Sequence, residues 1–333
     1  MSQRIRSLRQ HPITGVPLVA IIAVAALALS LLDVVPVRSQ ALTLEGLRAT
    51  RDVPLDDPWD AVWNTAPSRD VPLSAQNVAV PFGGGTVQAL TARALHDGER
   101  IYLLLEWADD EPQQAVNGFL EFSDAAAVQF PAAEVQQVPP FTMGGPGQGV
   151  NIWQWKAVWQ ADMESGFTGS LDRYPDTYTD YYPGGEDPLY KPALFLRNPV
   201  AQREHTSSIE NLVAEGFGTL TTDDTQDVSG SGVWREGRWR ALFARSLEPA
   251  GPGLARFEVG VATNVAFAVW DGGSDDRNGQ KSIAPFIGLS LSSDEAGSGF
   301  GGAQVLVLAL VAVAIAVLGA YALLVRRRSP AGA

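Results

Sequence analysis

From residue 42 to residue 291 the apolar positions come in short runs rich in β-branched and aromatic residues, broken by turn signals. Residues 87–95 and 101–107 flank the turn His96-Asp97-Gly98-Glu99, the pattern of a hairpin. Residues 232–234 and 238–245 flank Arg235-Glu236-Gly237, and alternation in the second run puts Trp239, Ala241 and Phe243 on one face. A third run, 257–270, ends at Asp271-Gly272-Gly273. Strands at this spacing, with no helical alternation between them, predict an all-β chain folded as an antiparallel β-sandwich rather than a doubly wound sheet. Residues 165–192 are crowded with Tyr, Asp, Pro and Gly and predict a long ordered loop, either functional or a packed flap.

The two ends carry a different pattern. Residues 14–32 form an apolar run behind Arg4, Arg6 and Arg9, so residues 1–41 read as a signal peptide, with a weak cleavage site at Val37 and Ser39, or as an uncleaved signal anchor. Residues 303–325 are apolar without a charge and are followed by Arg326-Arg327-Arg328, which predicts a C-terminal transmembrane helix with a short tail, 326–333. Both arginine clusters point to the cytoplasm by the positive-inside rule, so the chain between them is expected outside the cell membrane. Residues 292–302, rich in Gly and Ser, read as a flexible linker between the domain at 42–291 and the helix.

Composition narrows the chemistry. The formal net charge of -13 makes nucleic acid a poor partner. There are no cysteines, which excludes disulfides, thiolate nucleophiles, iron–sulfur ligation and covalent haem attachment through Cys-x-x-Cys-His. The three histidines, His11, His96 and His205, are scattered, which argues against a multi-histidine metal site. There is no nucleophile elbow, and Gly83-Gly84-Gly85 lacks the continuation of a phosphate loop and reads as a strand-end turn. The acidic groups Asp109-Asp110-Glu111 and Asp223-Asp224 read as solvated turns rather than acid–base pairs.

Two positions stand out once a haem is considered. Met143 lies among glycines, in Thr142-Met143-Gly144-Gly145, where a flat ligand can approach the backbone. Lys281, in Asn278-Gly279-Gln280-Lys281-Ser282, carries an amine that can lose its proton on burial and ligate iron, as a guanidinium cannot. On residues alone, a lone Met is far more often a gap filler and a lone loop Lys far more often surface charge.

Segments spread over most of this region resemble one known family. Asp56-Asp57-Pro58-Trp59-Asp60-Ala61-Val62-Trp63, Asp124-Ala125-Ala126-Ala127-Val128-Gln129-Phe130-Pro131, Asn151-Ile152-Trp153-Gln154-Trp155-Lys156-Ala157 and Asn278-Gly279-Gln280-Lys281-Ser282 are similar to the haem b-binding gamma subunits of ethylbenzene dehydrogenase-like enzymes, the type II group of the dimethyl sulfoxide reductase family. The resemblance implies a β-sandwich binding one non-covalent haem b, with Met143 and Lys281 as the axial iron ligands. It also implies a non-catalytic, electron-transferring subunit beside a molybdenum catalytic subunit and an iron–sulfur subunit, exchanging electrons with a cytochrome or a quinone-linked carrier. The C-terminal helix departs from the soluble periplasmic members and points to membrane-anchored relatives associated with nitrate or nitrite conversion.

Trp153 and Trp155 share a face if their segment is a strand; they are expected near the haem edge or, equally, in the ordinary core. Lys156 falls on the opposite face and is the weaker ligand candidate, and Met163 is a competing sulfur without the glycine surround. Two other functions fit a sandwich: carbohydrate binding, with aromatic residues of 174–190 stacking on sugar rings, or a haem-free anchoring role.

Overall fold

The computed structural model describes residues 42–116, 118, 120–176, 202 and 204–296. Its strands are β1 (Thr43–Arg48), β2 (Ser68–Pro72), β3 (Ser74–Ala75), β4 (Ala89–His96), β5 (Arg100–Ala108), β6 (Ala125–Pro131), β7 (Val150–Lys156), β8 (Ile209–Ala214), β9 (Thr221–Thr222), β10 (Ser229–Arg235), β11 (Arg238–Ser246), β12 (Ala262–Trp270), β13 (Ser282–Ile283) and β14 (Ile287–Glu295). They hydrogen-bond in the order β10-β11-β5-β4-β1-β14-β12-β6-β7-β8-β9. Strand β12 joins the two layers: Ala262 to Val265 pair with β14, and Ala266 to Trp270 pair with β6. Both predicted hairpins form, with Ala92 opposite Leu105 and Trp234 opposite Trp239.

The sequence reading needs four adjustments. Pairing is antiparallel except at β1, which runs parallel to both β4 and β14. Nine residues directly after β7 form a helix, α1 (Ala157–Ser165), where the reading expected no helix; it buries Ala157 and Trp159. Strand β14 continues to Glu295, into the stretch read as a linker, because Glu295 pairs with Arg48 and the Ala296 N–H donates to the Arg48 carbonyl at 2.7 Å. The expected loop starts at the last residue of α1 and contains a short helical turn, Ser170–Arg173, and its 177–192 portion lies outside the described residues. So do residues 1–41 and 297–333, which contain both apolar terminal runs. Among the described residues no helix is long and apolar enough to cross a membrane.

The core lies between the layers and is rich in tryptophan. Trp155 of β7 meets Trp239 of β11 edge-on at 4.8 Å between ring centroids and Trp107 of β5 at 6.1 Å. Trp153 packs on Phe130 and Phe257 at 4.7 and 6.0 Å. A ring of this size buries about 150–250 Å². At about 25 cal/mol per Å² that is on the order of 4–6 kcal/mol per ring before conformational entropy is charged. The room for Trp155 comes from Gly232, where an added Cβ would fall 2.1 Å from its ring.

Candidate functional site

Alternation along β7 sends Asn151, Trp153 and Trp155 into the core and Ile152, Gln154 and Lys156 to the outer face of the β12-β6-β7-β8 layer. That outer face is the floor of a cleft of about 800 Å³, within the range of small-molecule sites. Ala127, Ala266 and Ala268 project little above the sheet, so the floor is flat, and Ile152 and Leu212 make it apolar. Loops wall it in: residues 76–81, 141–144, 217–220 and 278–281 all contribute to its lining.

Met143 and Lys281 both line this cleft, from loops far apart in sequence. Met143 packs partly buried on the outer-face cluster of Ile152, Leu212 and Trp270. Its loop is held firmly. The Met143 carbonyl accepts from the Gly216 N–H at 2.8 Å, and the Gln129 side chain donates to the Phe141 carbonyl at 3.0 Å. Met143 and Gly144 both have left-handed backbones, φ 71° and 77°. A Cβ on Gly144 would fall 2.4 Å from the Gln148 carbonyl oxygen, so this glycine is needed for the turn that presents the thioether.

The Lys281 amine lies 4.7 Å from the centre of the Trp270 ring. Burial lowers its pKa to about 8, against an ordinary value of 10.5. Among the described residues the one carboxylate lining the cleft is Glu210, which forms an ion pair with Lys156 and accepts from the Thr222 hydroxyl at 2.6 Å. Lys281 therefore loses its proton more readily than a surface lysine.

Trp153 and Trp155 do not line the cleft; both are fully buried in the core behind its floor. Of the two placements expected for them, the core is the one observed, and the reason is that alternating residues of β7 cannot share the outer face with Ile152. Lys156 does reach the cleft, on the face opposite the tryptophans as alternation required, but its amine is paired with Glu210 and sits 4.0 Å over the Trp159 ring. Met163 is exposed on α1, away from the cleft lining.

Two features escaped the sequence reading. Gly83-Gly84-Gly85, read as a strand-end turn, runs directly against Lys281: a Cβ on Gly84 would fall 2.2 Å from the Lys281 backbone. Three consecutive glycines were the available signal. Asp109, read as part of a solvated turn, has a carboxylate within 4.8 Å of those of Asp124 and Asp271. Burial, then the charge of Asp109, pushes Asp124 up to about 7, and burial, then Asp271, pushes Asp109 to about 6. This group lies outside the cleft lining, and Asp124 is tied to structure, accepting from Trp239 Nε1, Gln113 N and Gly272 N.

The cleft thus has a flat apolar floor with a thioether and a lysine amine among its lining residues, a donor set that fits a haem. The ethylbenzene dehydrogenase family model matches residues 60–282, and the chain belongs to that family. Similar proteins include ORF7 of Haloferax mediterranei, named for a respiratory nitrate reductase heme subunit, 27% identical over 68% of this chain and 65% of that protein. Chlorate reductase subunit gamma of Ideonella dechloratans is 26% identical over 68% and 75% of the two chains. Dimethylsulfide dehydrogenase subunit gamma of Rhodovulum sulfidophilum is 24% identical over 69% and 72%. The chain thus spans slightly under two thirds of the length of the Haloferax protein. Among solved structures, a family 9 carbohydrate-binding module of Caldicellulosiruptor kristjanssonii with glucose aligns over 78% of this chain and 99% of that one, at 8% identity and a TM-score of 0.36. Its cellotriose complex scores the same at 9% identity over 78% and 98%. At that score the likeness carries no argument about ligand.

Proposed function

We propose that this chain is the haem b electron-transfer subunit of an extracytoplasmic molybdenum oxidoreductase, of nitrate/nitrite- or hydrocarbon-converting type. In this reading it relays electrons between an iron–sulfur subunit and an external cytochrome or quinone-linked carrier, performs no bond chemistry itself, and is tethered by residues 303–325 with its C-terminus in the cytoplasm. The observation that carries the reading is the arrival of Met143 and Lys281 in one flat, apolar cleft where the lysine has no acidic partner among the described residues. The relatives' names, a heme subunit and two gamma subunits, support the role in a larger complex. The arginine clusters beside both apolar runs support the orientation.

A bound haem supplies a one-electron redox change. Met143 and Lys281 would hold it, and two protein ligands of different hardness would suit electron transfer rather than oxygen activation. Ala127, Ile152, Leu212 and Ala268 would keep water from the floor beneath a bound ring, and the low local dielectric would tune its potential.

A reduced-minus-oxidised spectrum with a pyridine haemochrome assay on protein produced with haem in excess should give about one haem b per chain. Met143→Ala and Lys281→Ala should each lose the low-spin spectrum while the sandwich stays folded by circular dichroism; unchanged spectra in both would refute the ligand assignment, and colourless protein would refute the reading. Deleting residues 303–333 should release the protein from the membrane fraction. Retention would assign the tether to the N-terminal run instead.

A further inference from the structure

Lys281 lies outside regular secondary structure, one residue before β13, yet the backbone around it is fixed at four points. Its N–H donates to the Gly83 carbonyl at 3.2 Å, and its carbonyl accepts from the Gln76 N–H at 3.1 Å. The Gly279 carbonyl accepts from Gln76 Nε2, and the Asn278 carbonyl from Trp270 Nε1, each at 3.1 Å. Gln76 thus contributes to two of the four.

Its side chain does more than brace this turn. Gln76 is only 6% exposed. Nε2 also reaches the carbonyls of Ala79 at 2.7 Å and Pro81 at 3.2 Å, so two N–H protons are shared among three acceptors. Oε1 accepts from the N–H groups of Val78 and Ala79 at 2.6 and 2.7 Å. One carboxamide therefore shapes the strap of residues 76–83 and pins it to the turn that carries the lysine. The strap then presses on the same residue through Gly84, whose left-handed backbone, φ 82°, and missing Cβ permit the close approach.

We propose that Gln76 is the positioning residue for Lys281: its buried carboxamide locks the 76–83 strap to the 278–281 turn, so that the amine is presented into the cleft. The proposal rests on the reading of Lys281 as a cofactor ligand for its consequence, while the clasp itself concerns this chain alone. A buried amide serving only general stability would lower the unfolding temperature without changing where the Lys281 amine points. A positioning residue changes both the amine's accessibility and the ligation it supports, as groups that orient metal ligands do.

The test uses the full chain with Gln76→Leu and Gln76→Glu. Leucine removes every side-chain bond; glutamate keeps acceptance from Val78 and Ala79 but cannot donate to Gly279 when ionised. In haem-free protein, acetylation of Lys281 relative to Lys156, read by peptide mass spectrometry, should rise several-fold in both variants. After haem loading, the lysine-ligated low-spin spectrum should be lost or mixed, matching Lys281→Ala rather than Met143→Ala. If Gln76→Leu does not fold, Gln76→Glu decides. An unchanged labelling ratio in a folded variant overturns the proposal, as does a haem spectrum identical to wild type. Should the wild-type chain take up no haem, the haem reading fails, and the labelling ratio still decides the role of Gln76.

Discussion

Strand β7 presents two surfaces from one alternating sequence. Its inner face, Asn151, Trp153 and Trp155, is closed: the rings pack edge-on or tilted against Trp239, Phe130 and Phe257, and the Asn151 carboxamide oxygen accepts from Trp153 Nε1 and Arg245 Nη1 at 3.1 and 2.8 Å. Its outer face, Ile152, Gln154 and Lys156, looks into a cleft with a floor of small residues. The inner face belongs to the largest hydrophobic cluster of the fold. The outer face is left open as a cleft, with alanines where a core would have been filled, the space in which a ligand is proposed to bind. Stability and binding are thereby separated on two sides of a single layer, and substitutions on the two sides should differ in kind.

The largest expected effect is on the closed side. Trp155→Ala should cost about 3–5 kcal/mol of unfolding free energy, measured by urea denaturation. A loss below about 1 kcal/mol would show that the tryptophan cluster is not the centre of the core. Gly232→Ala attacks the same ring from the other direction, by forcing a Cβ against Trp155, and should cost about 1–3 kcal/mol.

A smaller effect concerns pH at the rim of the core. Asp124 and Asp109 hold protons at about pH 7 and 6, whereas in the unfolded chain they release them near pH 4. Between those limits the folded state binds more protons than the unfolded, so this pair lowers stability as pH rises from about 4 to 7. Asp109→Asn should make thermal stability less dependent on pH across that window and raise the melting temperature at pH 7.5. An unchanged slope would show that the two carboxylates do not share their charge.

The smallest effect on stability belongs to the open side. Ala268→Phe fills the cleft floor without disturbing the core and should change unfolding free energy by about 0.5 kcal/mol or less. Haem uptake should nevertheless fall to near zero. A normal haem content in this variant would place the cofactor elsewhere.

Much of the sandwich was legible because strand alternation and turn residues act locally. The hairpin at Glu236-Gly237 and the shared face of Trp239, Ala241 and Phe243 follow from a period of two and a left-handed turn, and all three side chains are buried. Helix α1 was missed because it is only nine residues long and follows a strand without a break. The parallel placement of β1 was missed because pairing between strands distant in sequence leaves no local trace. Met143 and Lys281 were visible as residue types, and the glycines around Met143 did mark a left-handed turn. Their common cleft was not visible, nor was Gln76, which in sequence is an ordinary glutamine between two short apolar stretches.

The sequence by itself determined the predominantly β class, the faces of individual strands and the absence of thiol chemistry, since each depends on local backbone geometry or on composition. Only the tertiary structure decided which face of β7 became core and which became cleft, that Glu210 is taken by Lys156 while Lys281 faces no acid among the described residues, and that one buried carboxamide ties two distant loops together. These depend on which loops fold over the outer face of the sheet. Long-range packing selects them, and neither periodicity nor propensity encodes it within any single segment.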